Sequence, residues 1–285
     1  MRSILVSLQG YDSDGPAVEA ALDVAALFGS KVTALLAVPK PLTPVVYGTA
    51  PATLTTMIAH MESHVEAMEQ SARRTVESVA GQRGIHFGDM PTAIGHPSIE
   101  LVIADGGEDV MVARYATVND LVVFCRKAPL VGEAFNTPAI VKDVLENGGR
   151  PLLIANEGIP TSFPKSAAIA WNGSVEGARA VTAALPFLAK AEAVAILTAE
   201  TSKTSSLEGS MLSTYLGRHG VRAQTITVPL EGRSVGEALH DAAQNVAADL
   251  LIMGGFTRSR FSQVFFGGVT SYILDSYCGT IIIAH

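Results

Sequence analysis

The residues best placed to do chemistry lie near the end of the chain: Asp249-Leu-Leu-Ile-Met-Gly-Gly-Phe-Thr-Arg-Ser-Arg-Phe, then Gly267-Gly268-Val269-Thr270. Leu250 to Met253 is a short apolar run that stops at two glycines, the pattern of a buried parallel strand. Gly267-Gly268 opens a stretch with apolar residues at Val269, Ile273 and Leu274, helical spacing against a core. A glycine pair ahead of a helix leaves the first backbone N–H groups uncovered by side chains, and such a helix start can hold an anion, typically phosphate. Arg258, Ser259 and Arg260 in the intervening loop would add charge and hydrogen bonds. The competing reading is a turn that keeps its glycines for chain reversal, and the residues alone leave the two level.

Other reactive side chains read as structural. His60 and His64 share one helix face with Glu62 near, but a third metal ligand and the His-Glu-x-x-His order are missing, so a solvated face is expected. Asp12 and Asp14 lack the remainder of a calcium loop. His96 before Pro97 suits a turn. Cys125 and Cys278 border apolar runs and are expected to be buried reduced thiols, and two cysteines make no disulfide framework. Trp171 ends a strand, where core packing and a place at a site mouth are both open.

The elements that must position these residues follow from pattern. The chain has 285 residues, 48% of them hydrophobic, enough for two ordinary domains with substantial cores. A net charge of −7 without any basic run argues against a nucleic-acid partner. The first apolar run is too short for a signal peptide, and no stretch reaches the roughly 18 apolar residues of a membrane span. A cytoplasmic protein is expected.

Ser3 to Leu8 reads as a strand. A helix follows from Pro16, capped by Ser13 or Asp14, with Gly29 stopping it. Lys31 to Val38 is the second strand, and residues 39–51, with four prolines, form a loop. From Leu54 a long helix carries Met57, Ile58, Met61, Val65, Met68, Ala72, Val76 and Val79 on one face, for core or interface packing. Residues 85–90 read as a third strand, and Ile99, Val102 and Ile103 as the face of a helix. Strands over Asp120 to Cys125 and Pro151 to Ala155 flank a helix from Pro138 to Asn147. Residues 156–166 read as a linker, after which the pattern restarts. Strands are expected at Ala167 to Trp171, Ala193 to Leu197, Val221 to Val228, 249–253 and 280–284. Helices are expected at Glu176 to Leu188, Leu207 to His219 and Ser234 to Val246.

The two halves repeat. Asp120-Leu-Val-Val-Phe answers Asp249-Leu-Leu-Ile-Met and Pro151-Leu-Leu-Ile-Ala answers Thr280-Ile-Ile-Ile-Ala at one shared offset; Gly95 to Ser98 answers Gly232 to Val235. Alternating strands and helices imply right-handed βαβ units, hence two doubly wound parallel sheets in tandem, with ligands at the carboxyl ends of the strands. The domains are placed at 1–156, with the extra loop and long helix, and 166–285.

The closing stretch resembles the C-terminal signature of the universal stress protein family: Gly, two residues, Gly, nine residues, Gly, then Ser or Thr, after a strand ending in Met. Met253, Gly254 and Gly267 match it, whereas Thr257 stands at the second glycine and Gly268 at the hydroxyl position. The resemblance covers nearly the whole chain as a tandem of two five-stranded α/β domains of the adenine nucleotide alpha hydrolase-like type. Family dimers pair through their last strands, so 151–155 and 280–284 are expected as neighbours in an internal pseudo-dimer. The resemblance implies a stress-response protein that binds ATP or a related adenine nucleotide in its second domain. Its site would comprise Met253, Gly254, Thr257, Arg258, Ser259, Gly267, Gly268 and Val269 around the phosphates, with Asn172, Gly173 and Ser174 placing the nucleoside. Ser174 also suits a helix cap. The first half, with Gln9-Gly10-Tyr11 and only Gly132 in its closing loop, is expected to lack an intact site. No base or metal-ligand set for hydrolysis is visible, so at most a slow ATPase is expected. The alternative is a scaffold or dimerisation protein working through protein partners along its Met-rich helix, and a homodimer is open on either reading. A hydrolase of the related fold would need a Ser-Gly-Gly-x-Asp-Ser loop, which neither half has.

Overall fold

Two aspartates explain how both halves begin. Asp120 accepts hydrogen bonds from the backbone N–H of Arg2 and Ser3 at 2.6 and 3.2 Å. Asp249 does the same for Lys165 and Ser166 at 2.8 and 3.1 Å. Each carboxylate thus fastens the start of its half's first strand to the start of the neighbouring one. In this computed structural model, residues 1–38, 51–88, 95–126, 141–156, 158–201, 206–255 and 268–285 are described, the side chains of 51–55 and 206–208 excepted. The chain divides into two units, Met1–Gly148 and Gly149–His285.

The first unit runs β1 (Ser3–Leu8), a 3-10 turn (Asp12–Asp14), α1 (Gly15–Phe28), β2 (Lys31–Val38), α2 (Pro51–Gln82), β3 (His86–Phe87), β4 (Ser98–Asp105), α3 (Glu108–Ala116), β5 (Leu121–Cys125) and a π-helical turn (Val144–Gly148). Its five strands are parallel in the order β3-β4-β2-β1-β5. Ile4, Leu5 and Val6 on β1 and Val122 and Val123 on β5 are fully buried, as central strands covered on both faces require.

The second unit runs β6 (Leu152–Ala155), β7 (Ser166–Ala170), α4 (Val175–Leu188), β8 (Ala193–Ala199), α5 (Ser206–Arg218), β9 (Gln224–Val228), α6 (Val235–Asn245), β10 (Leu250–Gly254), α7 (Gly268–Ser276) and β11 (Thr280–Ala284). Its order is β6-β11-β10-β7-β8-β9, parallel except β6, which lies antiparallel on β11 with Leu153 opposite Ile282. The expected pairing of 151–155 with 280–284 is therefore present. It also explains why the units divide near Gly149: β6 belongs to the second unit's sheet and covers the apolar edge that β11 would otherwise expose. The capping box at Ser234 and Glu237 starts α6 as its Ser-x-x-Glu pattern dictates.

Four expectations are corrected. Residues Ile99, Val102 and Ile103 lie in strand β4, not a helix; Glu100 reaches Lys31 and Thr33 on neighbouring β2, and the helix of this segment is α3, further on. The third strand is reduced to His86–Phe87 among the described residues. Asp14 stands at the N-cap of α1, yet its side chain makes no capping bond to the helix, and Ser13 lies in the preceding 3-10 turn. Cys125 is buried, but Cys278 is exposed, since it follows α7 in the turn before β11. Gly132, residues 39–50, Pro138 and Ile140 lie outside the described residues.

Candidate functional site

The carboxyl edge of the second sheet is built around one turn. β7 ends at Ala170, and the chain reverses through Trp171, Asn172, Gly173 and Ser174. Gly173 has φ +72°, a conformation open to glycine at little cost. The Asn172 Oδ1 accepts from the Ser174 N–H at 3.1 Å, and the Ser174 Oγ accepts from the Gly177 N–H at 3.0 Å, capping α4. Trp171 reaches the same place: a Cβ on Gly177 would lie 3.4 Å from its ring and 3.3 Å from the Ser174 Oγ.

β10 ends against this turn. A Cβ on Gly254 would stand 2.5 Å from the Gly177 nitrogen and 2.8 Å from the Glu176 carbonyl carbon, so the glycine is demanded by the approach of β10 to the first turn of α4. Met253 is 4% exposed and belongs to the core, leaving its backbone at the edge. Asn172, Gly173, Ser174, Met253 and Gly254 are thus brought together. Gly268 and Val269 form the first turn of α7, which leads from the β10 side to β11. Gly268 is exposed, and a Cβ there would meet open space, so packing among the described residues does not require a glycine. Thr257, Arg258, Ser259 and Gly267 lie outside the described residues.

The first unit's edge has the same turn with opposite electrostatics. Gly10, with φ +80°, occupies the place of Gly173, and Asp14 occupies that of Gly177, each acidic or glycine residue standing four positions beyond its turn glycine. The buried Asp14 carboxylate accepts from the N–H groups of Gln9, Gly10 and Tyr11 at 3.0, 2.8 and 3.2 Å. The chain's own carboxylate therefore fills the backbone nest that an incoming anion would use. Glu108, opening α3, accepts from the Ser7 hydroxyl at 2.7 Å. Burial pushes both carboxyls above the ordinary range; hydrogen bonds oppose the shift, and the nearby Asp14 adds to that of Glu108. Two acids on this edge disfavour a phosphate.

Sequence reasoning missed the Asp14 plug and Glu108. The plug was detectable as an acid just beyond a strand-ending glycine turn; the Ser7–Glu108 pair joins residues distant in the chain and leaves no local signal. His60, His64 and His96 are exposed, and no cluster able to hold a metal occurs among the described residues. No helix is long and apolar enough to cross a membrane among the described residues.

The sheets, their order and the helices between their strands define an α/β protein with doubly wound, mostly parallel sheets. Residues 168–277, within the second unit, match the sequence profile of the Universal stress protein family. The whole chain has the fold of a universal stress protein from Archaeoglobus fulgidus, at 12% identity and TM-score 0.70 over 99% of this chain and 97% of that one. A proposed universal stress protein from Pseudomonas aeruginosa aligns with TM-score 0.54 at 14% identity, over 100% of this chain and 93% of that one. No curated protein matches the chain by sequence.

Proposed function

We propose that the second unit binds an adenine nucleotide at the carboxyl edge of its sheet, and that the protein serves a stress response as a nucleotide-responsive binding protein rather than through turnover. The observation that carries the reading is the contrast between the two turns. In the first unit Asp14 fills the nest at Gly10; in the second the equivalent position is Gly177, and the edge presents the Asn172–Ser174 turn. The match of residues 168–277 to the family supports it, as does the start of α7 at the exposed Gly268, since the first N–H groups of a helix have no intrahelical partner and suit a phosphate. Asn172 and Ser174 would meet the nucleoside, and Thr257, Arg258, Ser259 and Gly267 would close over the phosphates.

Calorimetric titration of the full chain with ATP tests this. We expect one nucleotide per chain, and Gly268→Val, which adds a side chain where packing among the described residues leaves room, is expected to weaken binding by about tenfold or more, roughly 1.4 kcal/mol, while leaving the melting temperature unchanged. Absence of heat at ATP on the order of millimolar, or unchanged binding in Gly268→Val, would overturn it.

A further inference from the structure

The apolar stripe of α2 changes character along its length. Ala72 and Val76 are fully buried, whereas Met57 is 49% and Met61 37% exposed. Alongside the more open stretch lies a cavity of about 680 Å³, between α2 and the carboxyl ends of β1, β2 and β4. Its apolar wall is formed by Tyr11, Val38, Met61, Val65 and Met68. Its charged wall is formed by Glu62, Glu66 and Glu69, spaced i, i+4, i+7 along one face of α2, with Asp105 at the end of β4. His60 and His64 complete the described lining, which contains no Lys or Arg.

We propose that this cavity binds a small organic cation with an apolar body, an alkyl- or arylalkylammonium ion. The volume falls within the range of small-molecule sites, and the position at the carboxyl ends of parallel strands is where ligands of such sheets sit. Charge selects the class. Like charges at i, i+4 destabilise a helix, and an ammonium group seated beside Glu66, between it and Glu62 or Glu69 one turn away, converts that repulsion into attraction. An anion meets the carboxylates of Glu62, Glu66 and Glu69 here, and the adjacent backbone N–H nest at Gln9 to Tyr11 is already occupied by Asp14. Methionine side chains adapt to apolar bodies of varied shape, and Tyr11 adds an aromatic side chain to the same lining. The occupant differs in charge from the nucleotide proposed for the second unit, and this site does not depend on that one.

The test is saturation-transfer NMR on the full chain with a panel of alkyl- and arylalkylamines, each beside its isosteric alcohol and carboxylate. Amines are expected to bind, with alcohols weaker and carboxylates silent. The triple variant Glu62→Gln, Glu66→Gln, Glu69→Gln, which keeps helix-forming residues on an accessible face, is expected to weaken amine binding by about tenfold or more, as is raised salt. Met61→Lys, which places a cation in the cavity wall, is expected to abolish it. The proposal is overturned if no amine binds, if alcohols bind equally, if the triple variant binds as the native chain does, or if ATP displaces the amine. It is also overturned if sedimentation shows a dimer that Met61→Lys dissociates, because a second copy would then occupy this face.

Discussion

Glycines that look alike in the sequence have different physical duties. Gly254 is held by packing, since any Cβ would meet the backbone of Gly177 and Glu176. Gly254→Ala is expected to cost about 1–3 kcal/mol or more of stability, read from urea unfolding, whatever its effect on ligand. Gly268 faces open space among the described residues and should tolerate substitution in the apo protein, so it is the better probe of binding. Asp14 holds three backbone N–H groups, and Asp14→Asn, which turns an amide donor toward donors, is expected to destabilise the first unit by about 1–3 kcal/mol. Glu108 gives a pH signature. Its folded pKa is raised by burial, so the folded state holds this proton more tightly than the unfolded chain does, and stability is lost as pH rises through that raised value. Glu108→Gln keeps an oxygen for the Ser7 hydroxyl and removes the buried charge. Its melting temperature should exceed that of the native chain at pH 7, with the two converging as the pH falls toward about 4.

At the scale of elements, the repeat is enforced by matched side chains. Asp120 and Asp249 each secure two N–H groups at the start of a first strand, so Asp120→Ala and Asp249→Ala are each expected to cost about 1–3 kcal/mol, resolved by hydrogen exchange in β1 and β7 respectively. Most elements were legible because short apolar runs such as 31–38 and 250–253 are closed by Pro39 and Gly254, and because Ser234 and Glu237 spell a helix start. β4 was not. Ile99, Val102 and Ile103 fit a helical face, while Ile99, Leu101 and Ile103 fit alternation equally well, and a run this short carries both periods. Its cross-strand partners, Lys31 and Thr33 for Glu100, decide the matter, and they lie far away in sequence. The Lys31–Glu100 pair is partly exposed and adds less than about 1 kcal/mol, so register rests on the buried residues around it. The face of α2 was read correctly in its direction; the exposure of its first half could not be read, because it depends on what the sheet beneath leaves unfilled.

For the molecule as a whole, the two units repeat one fold with unlike edges, one whose backbone nest holds its own carboxylate and one with a glycine in that place. The matched segments at 120–124 and 249–253, and at 151–155 and 280–284, made the repeat readable, but the plug depends on a single residue, Asp14, whose partners only the folded turn reveals. The central claim is that an adenine nucleotide enters the second edge and not the first. Hydrogen–deuterium exchange of the full chain with and without ATP tests it most directly. The account predicts slowed exchange in peptides covering 171–177 and the start of α7, with peptides covering 9–14 unchanged. Protection at 9–14, or no protection in either turn at saturating ATP, would contradict it.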